Sequence, residues 1–92
     1  MQFVRRKWGW YLTLLDRKHF KVKLLKFARG KQLSFQYHDC RNELWLYLTG
    51  LNAGCYRYIP KGEKHTYYAM VPTYILEIQY GDKCIEGDIT RV

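Results

Sequence analysis

The stretch QYHDCRNELW, residues 36–45, decides how this chain is read. Gln36 and His38 stand two apart, so on an extended strand their side chains leave the same face and can converge on one point. Glu43 follows five residues after His38, far enough for the chain to turn and bring a carboxylate back to that point. Two nitrogen or oxygen donors and a carboxylate are most of a divalent-metal site, which needs one more ligand. His65 is the candidate for it.

Outward from this stretch the pattern is that of strands. Residues 33–38 form a strand ending in the first two candidate ligands, residues 39–42 are a polar loop, and residues 43–49 alternate. Glu43, Trp45 and Tyr47 share one face there, against Leu44, Leu46 and Leu48 on the other. Before them, residues 8–15 are an aromatic, β-rich run and residues 16–19 a turn. Residues 20–27 set Val22 and Leu24 against Lys21, Lys23 and Leu25, although Leu24, Leu25 and Phe27 also fit a short amphipathic helix. After them, Gly50, Asn52 and Gly54 punctuate a tight connection. Residues 56–59 are a short strand stopped by Pro60, and the turn at 61–64 delivers His65. Residues 66–71 and 74–80 read as further strands parted by Pro72, whereas residues 84–92 have no strong periodicity. Seven short strands punctuated by Gly and Pro predict an all-β fold, a small antiparallel sandwich or barrel.

Ninety-two residues suffice for one modest core, so residues 1–92 are expected to form a single domain. The 17% aromatic content favours strands over helices. No run approaches the ~18 apolar residues of a membrane span, and the amino terminus lacks the pattern of a secretory signal, so no membrane partner and a cytoplasmic location are expected. Cys40, Cys55 and Cys84 are odd in number and lack C-x-x-C spacing, which fits neither a disulfide framework nor a zinc ribbon. Unpaired thiols point to a reducing compartment. Cys40 lies between the candidate ligands, where a partly buried, inert thiol is the simplest reading.

The charge is uneven. Residues 1–32 carry ten Lys and Arg against one acid, Asp16, while the remainder carries six against seven. Interleaved with Trp8, Trp10, Tyr11 and Phe20, these cations suit either single-stranded nucleic acid or a collar that draws in a phosphorylated small molecule. Solubility alone would also account for them.

Gly30, then after five residues Gln36-Tyr37-His38, after four more Glu43 and after six more Gly50 resembles the first cupin motif, with Gln36 in place of its first His. Gly54, then after five residues Pro60-Lys61-Gly62 and after two more His65, resembles the second. Trp8-Gly9, residues 21–23 and 33–38, Arg41, Glu43, Trp45, residues 58–65 and 77–81, Glu86, Asp88, Ile89 and Arg91 are similar to the carboxy-terminal cupin domain of type II mannose-6-phosphate isomerases. The resemblance implies a small cupin-type antiparallel β-barrel, or jelly roll. Inside it Gln36, His38, Glu43 and His65 would hold a divalent metal, zinc first, with manganese, iron or nickel as alternatives.

The activity it implies is aldose–ketose isomerisation of a phosphorylated sugar or recognition of a sugar nucleotide. Such a site needs a base to move a proton and cationic donors to hold a phosphate. Arg91, at the position of a functionally important family arginine, Lys23 and Glu77 are the candidate catalytic groups, with Arg41, Lys23 and Arg91 as phosphate donors. Glu77 shares its strand face with Gln79, so a structural hydrogen-bonded pair is an equal reading of it, and Arg41 could pair with Asp39. The family's further histidines are replaced here by Asp39, Cys40 and Leu44, and its asparagine closing the second motif by Ala69. Only Leu51, Asn52 and Ala53 separate Gly50 from Gly54, where cupins carry a hairpin. The barrel is therefore expected to be truncated by one hairpin and open on one side, which predicts a homodimer. A basic aromatic barrel binding single-stranded nucleic acid, or a non-catalytic scaffold, are the alternatives.

Overall fold

The computed structural model describes residues 1–92 as nine strands and no helix: β1 (Gln2–Arg6), β2 (Gly9–Asp16), β3 (Phe20–Phe27), β4 (Gln32–Tyr37), β5 (Arg41–Tyr47), β6 (Tyr56–Ile59), β7 (His65–Tyr68), β8 (Thr73–Gly81) and β9 (Thr90–Arg91). They form a six-stranded sheet, β1-β2-β3-β8-β5-β6, and a three-stranded sheet, β7-β4-β9, with every pairing antiparallel. The seven expected strands are all present, those at 20–27 and 56–59 with the expected ends and the other five with shifted ends. Residues 20–27 are a strand, so the helical alternative is set aside: Lys21, Lys23, Leu25 and Phe27 turn inward at period two. Two strands escaped the sequence reading. β1 is mostly exposed, with no apolar alternation to betray it, and β9 is a two-residue rung.

Strand alternation gives the inner face of the large sheet a polarity gradient. Towards one end Tyr11, Leu25, Phe27, Tyr47 and Ile75 meet Leu33, Ile59 and Ala69 in one apolar core, with Trp45 at its upper boundary. Trp8 stacks on Phe27 at 4.3 Å between ring centroids and packs against this core. Towards the other end the same strands present polar groups. Glu77 of β8 sits in register between Lys23 of β3 and Trp45 of β5, and Gln79 between Lys21 and Glu43. Directly opposed residues share a face, so these two rungs line the interior side by side. The chain then crosses from β6 in the large sheet to β7 in the small one through residues 60–64, which sets His65 at the start of β7, opposite Gln36 of β4.

Residues 48–55 join β5 to β6 as a turn without any strand. β6 and β7 are consequently sheet edges, with Tyr56, Tyr58, Tyr68 and Met70 exposed on or beside them. This is the shortened, open-sided barrel that the spacing of Gly50 and Gly54 implies. No helix is long and apolar enough to cross a membrane.

Candidate metal centre

The two cupin-like stretches meet at the polar end of the interior. His38, immediately after β4, Glu43 on β5 and His65 on β7 are all buried, and one ligand atom from each lies within 4.8 Å of the others. His38 Nε2 is 3.1 Å from Glu43 Oε2, and His65 Nε2 is 3.8 Å from Glu43 Oε1. The other ring nitrogens fix the tautomers. His38 Nδ1 donates to the Asp88 carbonyl at 2.6 Å and His65 Nδ1 to the Glu63 carbonyl at 3.1 Å. A carbonyl only accepts, so both Nδ1 atoms carry the proton and both Nε2 atoms turn a lone pair towards Glu43.

Burial lowers the pKa of both imidazoles. The Arg41 cation lowers that of His38 further, and His38 that of His65, so both rings are held neutral. Three acceptors thus face one another, an arrangement suited to a cation among them. His65 Nε2 has no hydrogen-bond partner, and neither does Gln36 Oε1, which lines the same cavity. Unpartnered buried acceptors are costly in an ordinary core. Two imidazoles, a carboxylate and an amide oxygen fit a divalent ion of the borderline class.

Arg41 packs against this group. Its Nε donates to Glu43 Oε2 at 3.0 Å, Nη2 to His38 Nε2 at 3.3 Å and Nη1 to the Ile85 carbonyl at 3.1 Å. Its guanidinium therefore serves Glu43 rather than Asp39, whose backbone N–H is held by Asp88. Lys23 donates to Glu86 Oε1 at 2.7 Å and lies over the Tyr11 ring; Lys21, also buried, donates to Glu86 Oε2 at 2.8 Å. Burial opposes the ionised form of Glu86, but its two lysines win and hold it at a pKa of about 2. Burial likewise depresses Lys21, yet Glu86 and Asp16 together raise it. Arg91 on β9 is exposed, is in register with Gln36 and lines the cavity mouth.

Glu77 is buried beside Glu43. Trp45 Nε1 donates to both, at 3.0 Å to Glu77 Oε2 and 3.1 Å to Glu43 Oε1, and Gln79 Nε2 donates to Glu77 Oε1 at 2.6 Å. Burial, with the Glu43 charge second, raises the Glu77 pKa to about 7 against Lys23, Arg41 and Gln79. Between the ordinary 4.5 and about 7 the folded chain therefore binds a proton that the unfolded chain has released. Stability from this group falls as pH rises through that window. In metal-free protein the Glu77→Gln substitution should thus gain on wild type between pH 5 and pH 8, by roughly 2–3 kcal/mol. Urea denaturation at both pH values measures this, and a difference independent of pH contradicts it.

The sequence reading placed Gln36, His38, Glu43, His65, Glu77, Lys23, Arg41 and Arg91 at the site, and all eight line one cavity of about 110 Å³. It passed over Lys21, Gln79 as a site residue and the clamp made by Glu86. The alternation of Lys21 with Lys23 and Leu25 was the available signal for the first. Glu86 stood only in the resemblance, with no role attached, because the tail carries no periodicity that would aim it inward.

The family described as mannose-6-phosphate isomerase C-terminal matches residues 1–92. A mannose-1-phosphate guanylyltransferase of Sinorhizobium fredii (strain NBRC 101917 / NGR234) is 33% identical over 101 residues, covering 95% of this chain and 20% of that protein. The chain thus spans about a fifth of that relative's length. Among solved structures, an oxalate decarboxylase from B. subtilis superposes with a TM-score of 0.85 at 13% identity, covering 99% of this chain and 30% of that one. A cupin superfamily protein from Desulfitobacterium hafniense DCB-2 superposes with a TM-score of 0.71 at 19% identity, covering 78% and 76%. The fold is that of a cupin.

Proposed function

The chain belongs to the mannose-6-phosphate isomerase C-terminal family, and from that membership we propose that it recognises a phosphorylated sugar at a divalent-metal centre and is arranged for aldose–ketose isomerisation. The observation that carries this reading is the convergence of two imidazole nitrogens, that of His65 without a hydrogen-bond partner, on a buried carboxylate in a cavity with cations at its mouth. Gln36, His38, Glu43 and His65 would hold the ion, which would polarise the sugar carbonyl and so acidify the adjacent C–H. Glu77, poised near neutrality, is the group able to take a proton from one carbon and return it to its neighbour. Lys23 and Arg91 supply positive charge for the phosphate, Arg91 with the fork that suits phosphate oxygens. Arg41 orients Glu43 and His38.

Metal-loaded protein incubated with mannose 6-phosphate should yield fructose 6-phosphate, followed by a coupled assay. Glu77→Gln should slow turnover by about 10²-fold or more while leaving metal content unchanged. Absence of product with zinc, manganese, iron and nickel alike would overturn the catalytic reading.

A further inference from the structure

The outward face of the six-stranded sheet is apolar, where the outer face of an antiparallel sheet is ordinarily polar. Inward and outward residues alternate along each strand, and the registers carry that alternation across the sheet. Phe3, Leu12, Leu24, Leu76, Leu46 and Tyr56 stand side by side in one row that crosses all six strands. Next to it, Leu15, Val22, Ile78, Leu44 and Tyr58 form a second row across the strands from β2 to β6. Neither row holds a charge. The small sheet packs on the other side, so these rows face outward: Phe3 is 50%, Tyr56 71% and Tyr58 48% exposed, and the leucines between them are half-buried.

Rows at the two ends of this face differ. Beyond the Leu24 row lie Arg5, Trp10, Lys26 and Tyr74, opposed in turn, which include both cations of the face. Beyond the Val22 row, towards the metal-centre end, lie Phe20, Tyr80 and Asn42. No carboxylate stands in any of the four rows.

Soluble monomers rarely expose a contiguous apolar patch of more than a few hundred Å². Strand and sheet spacings give these four rows roughly 600 Å² in projection, and side chains standing up from the pleat present more than that. The face thus approaches the ~800 Å² per partner of a stable interface. What matches a broad, twisted sheet face is another one, packed ~10 Å away with its strands within about 30°. A second copy of this chain supplies it. Turned about a two-fold axis that runs across the strands between the two neutral rows, each copy lays its Leu24 row on the Val22 row of the other. The same turn sets the two Arg5–Lys26 rows at opposite ends and brings Lys26 of each copy to the Phe20 and Tyr80 rings of the other, whose faces suit a cation.

We propose that the outward face of the six-stranded sheet is the interface of a homodimer, two copies packed back to back. The cavity of the metal centre lies on the inner side of each sheet and stays open in the dimer. β7, the edge of the small sheet, takes no part in the contact.

Sedimentation equilibrium of the full chain at micromolar concentration tests this. Wild type should be a dimer. A Leu24→Lys, Leu76→Lys double variant, which sets two charges at the centre of the face, should weaken the dimer by about 100-fold or more and keep its β-sheet circular dichroism. A Phe3→Ser, Tyr56→Ser double variant changes only positions already half or more exposed, so it decides the matter if the lysine variant does not fold; it should weaken the dimer by about tenfold. Tyr68→Ser with Met70→Ser, on and beside β7, should leave the dissociation constant within about twofold. A monomeric wild type overturns the interface, as does a dimer that withstands the substitutions on the face. A dimer lost through Tyr68 and Met70 instead would be one made by edge pairing, and overturns it equally.

Discussion

The His38→Ala, His65→Ala double variant should lose stoichiometric divalent metal completely, falling from one ion per chain to background when dialysed protein is measured by elemental analysis. Both side chains present their only lone-pair nitrogen to the same carboxylate, and His65 Nε2 has no other partner. Removing them leaves Gln36 and Glu43, one neutral oxygen donor and one carboxylate, too few to compete with water for a borderline ion. A second readout guards against misfolding. In wild type, metal at about a thousand times its dissociation constant should stabilise the chain by ~4 kcal/mol. The variant should retain its β-sheet circular dichroism and show no such gain. Equal metal content in the two proteins would place the ion elsewhere and remove the basis for isomerisation.

Gly9→Ala should destabilise the chain by more than about 3 kcal/mol in urea denaturation, among the largest effects of any single methyl addition. Gly9 opens β2 opposite Phe27 with φ at 151°. A Cβ there would overlap the Lys26 carbonyl oxygen and come within 3.3 Å of the Phe27 Cα, and both obstacles are backbone. Relief requires β3 to draw back, which unseats the fully buried Phe27 from Trp8 and loosens the hairpin that carries Arg5, Arg6 and Lys7. Gly54→Ala is the control. Gly54 also has positive φ, at 88°, but a Cβ there meets nothing within 4 Å. Its cost should be only the local one of a left-handed residue, about 1 kcal/mol. Equal losses at the two sites would show that backbone conformation, not the close approach of β2 to β3, governs Gly9.

The strands around the site were legible because half-buried strands declare themselves by alternation. Glu43, Trp45 and Tyr47 do face inward together, as their spacing requires, and so do Lys21, Lys23 and Leu25. The alternation could not say that lysines would be on the interior side, since that depends on Glu86, sixty-three residues beyond Lys23, reaching in to neutralise them. β1 was illegible because it turns only Val4 towards the core and leaves its other four residues exposed. The partner of Arg41 was open for a related reason. Asp39 and Glu43 both stand two residues from it, and only the strand decides between them, because β5 points Arg41 and Glu43 to the same side.

By itself, the order of residues pointed to the candidate donors and determined the strand frame, because donor chemistry and strand periodicity act over a few neighbouring positions. The short connection from Gly50 to Gly54 likewise foretold an open-sided barrel. Tertiary structure alone decided which cations are committed and which are free. Lys21, Lys23 and Arg41 are matched to Glu86 and Glu43 by folding, while Arg5 and Arg6 lie over the rings of Phe3 and Tyr11. Coulombic partners are set by distance in space, which separation along the chain does not reveal.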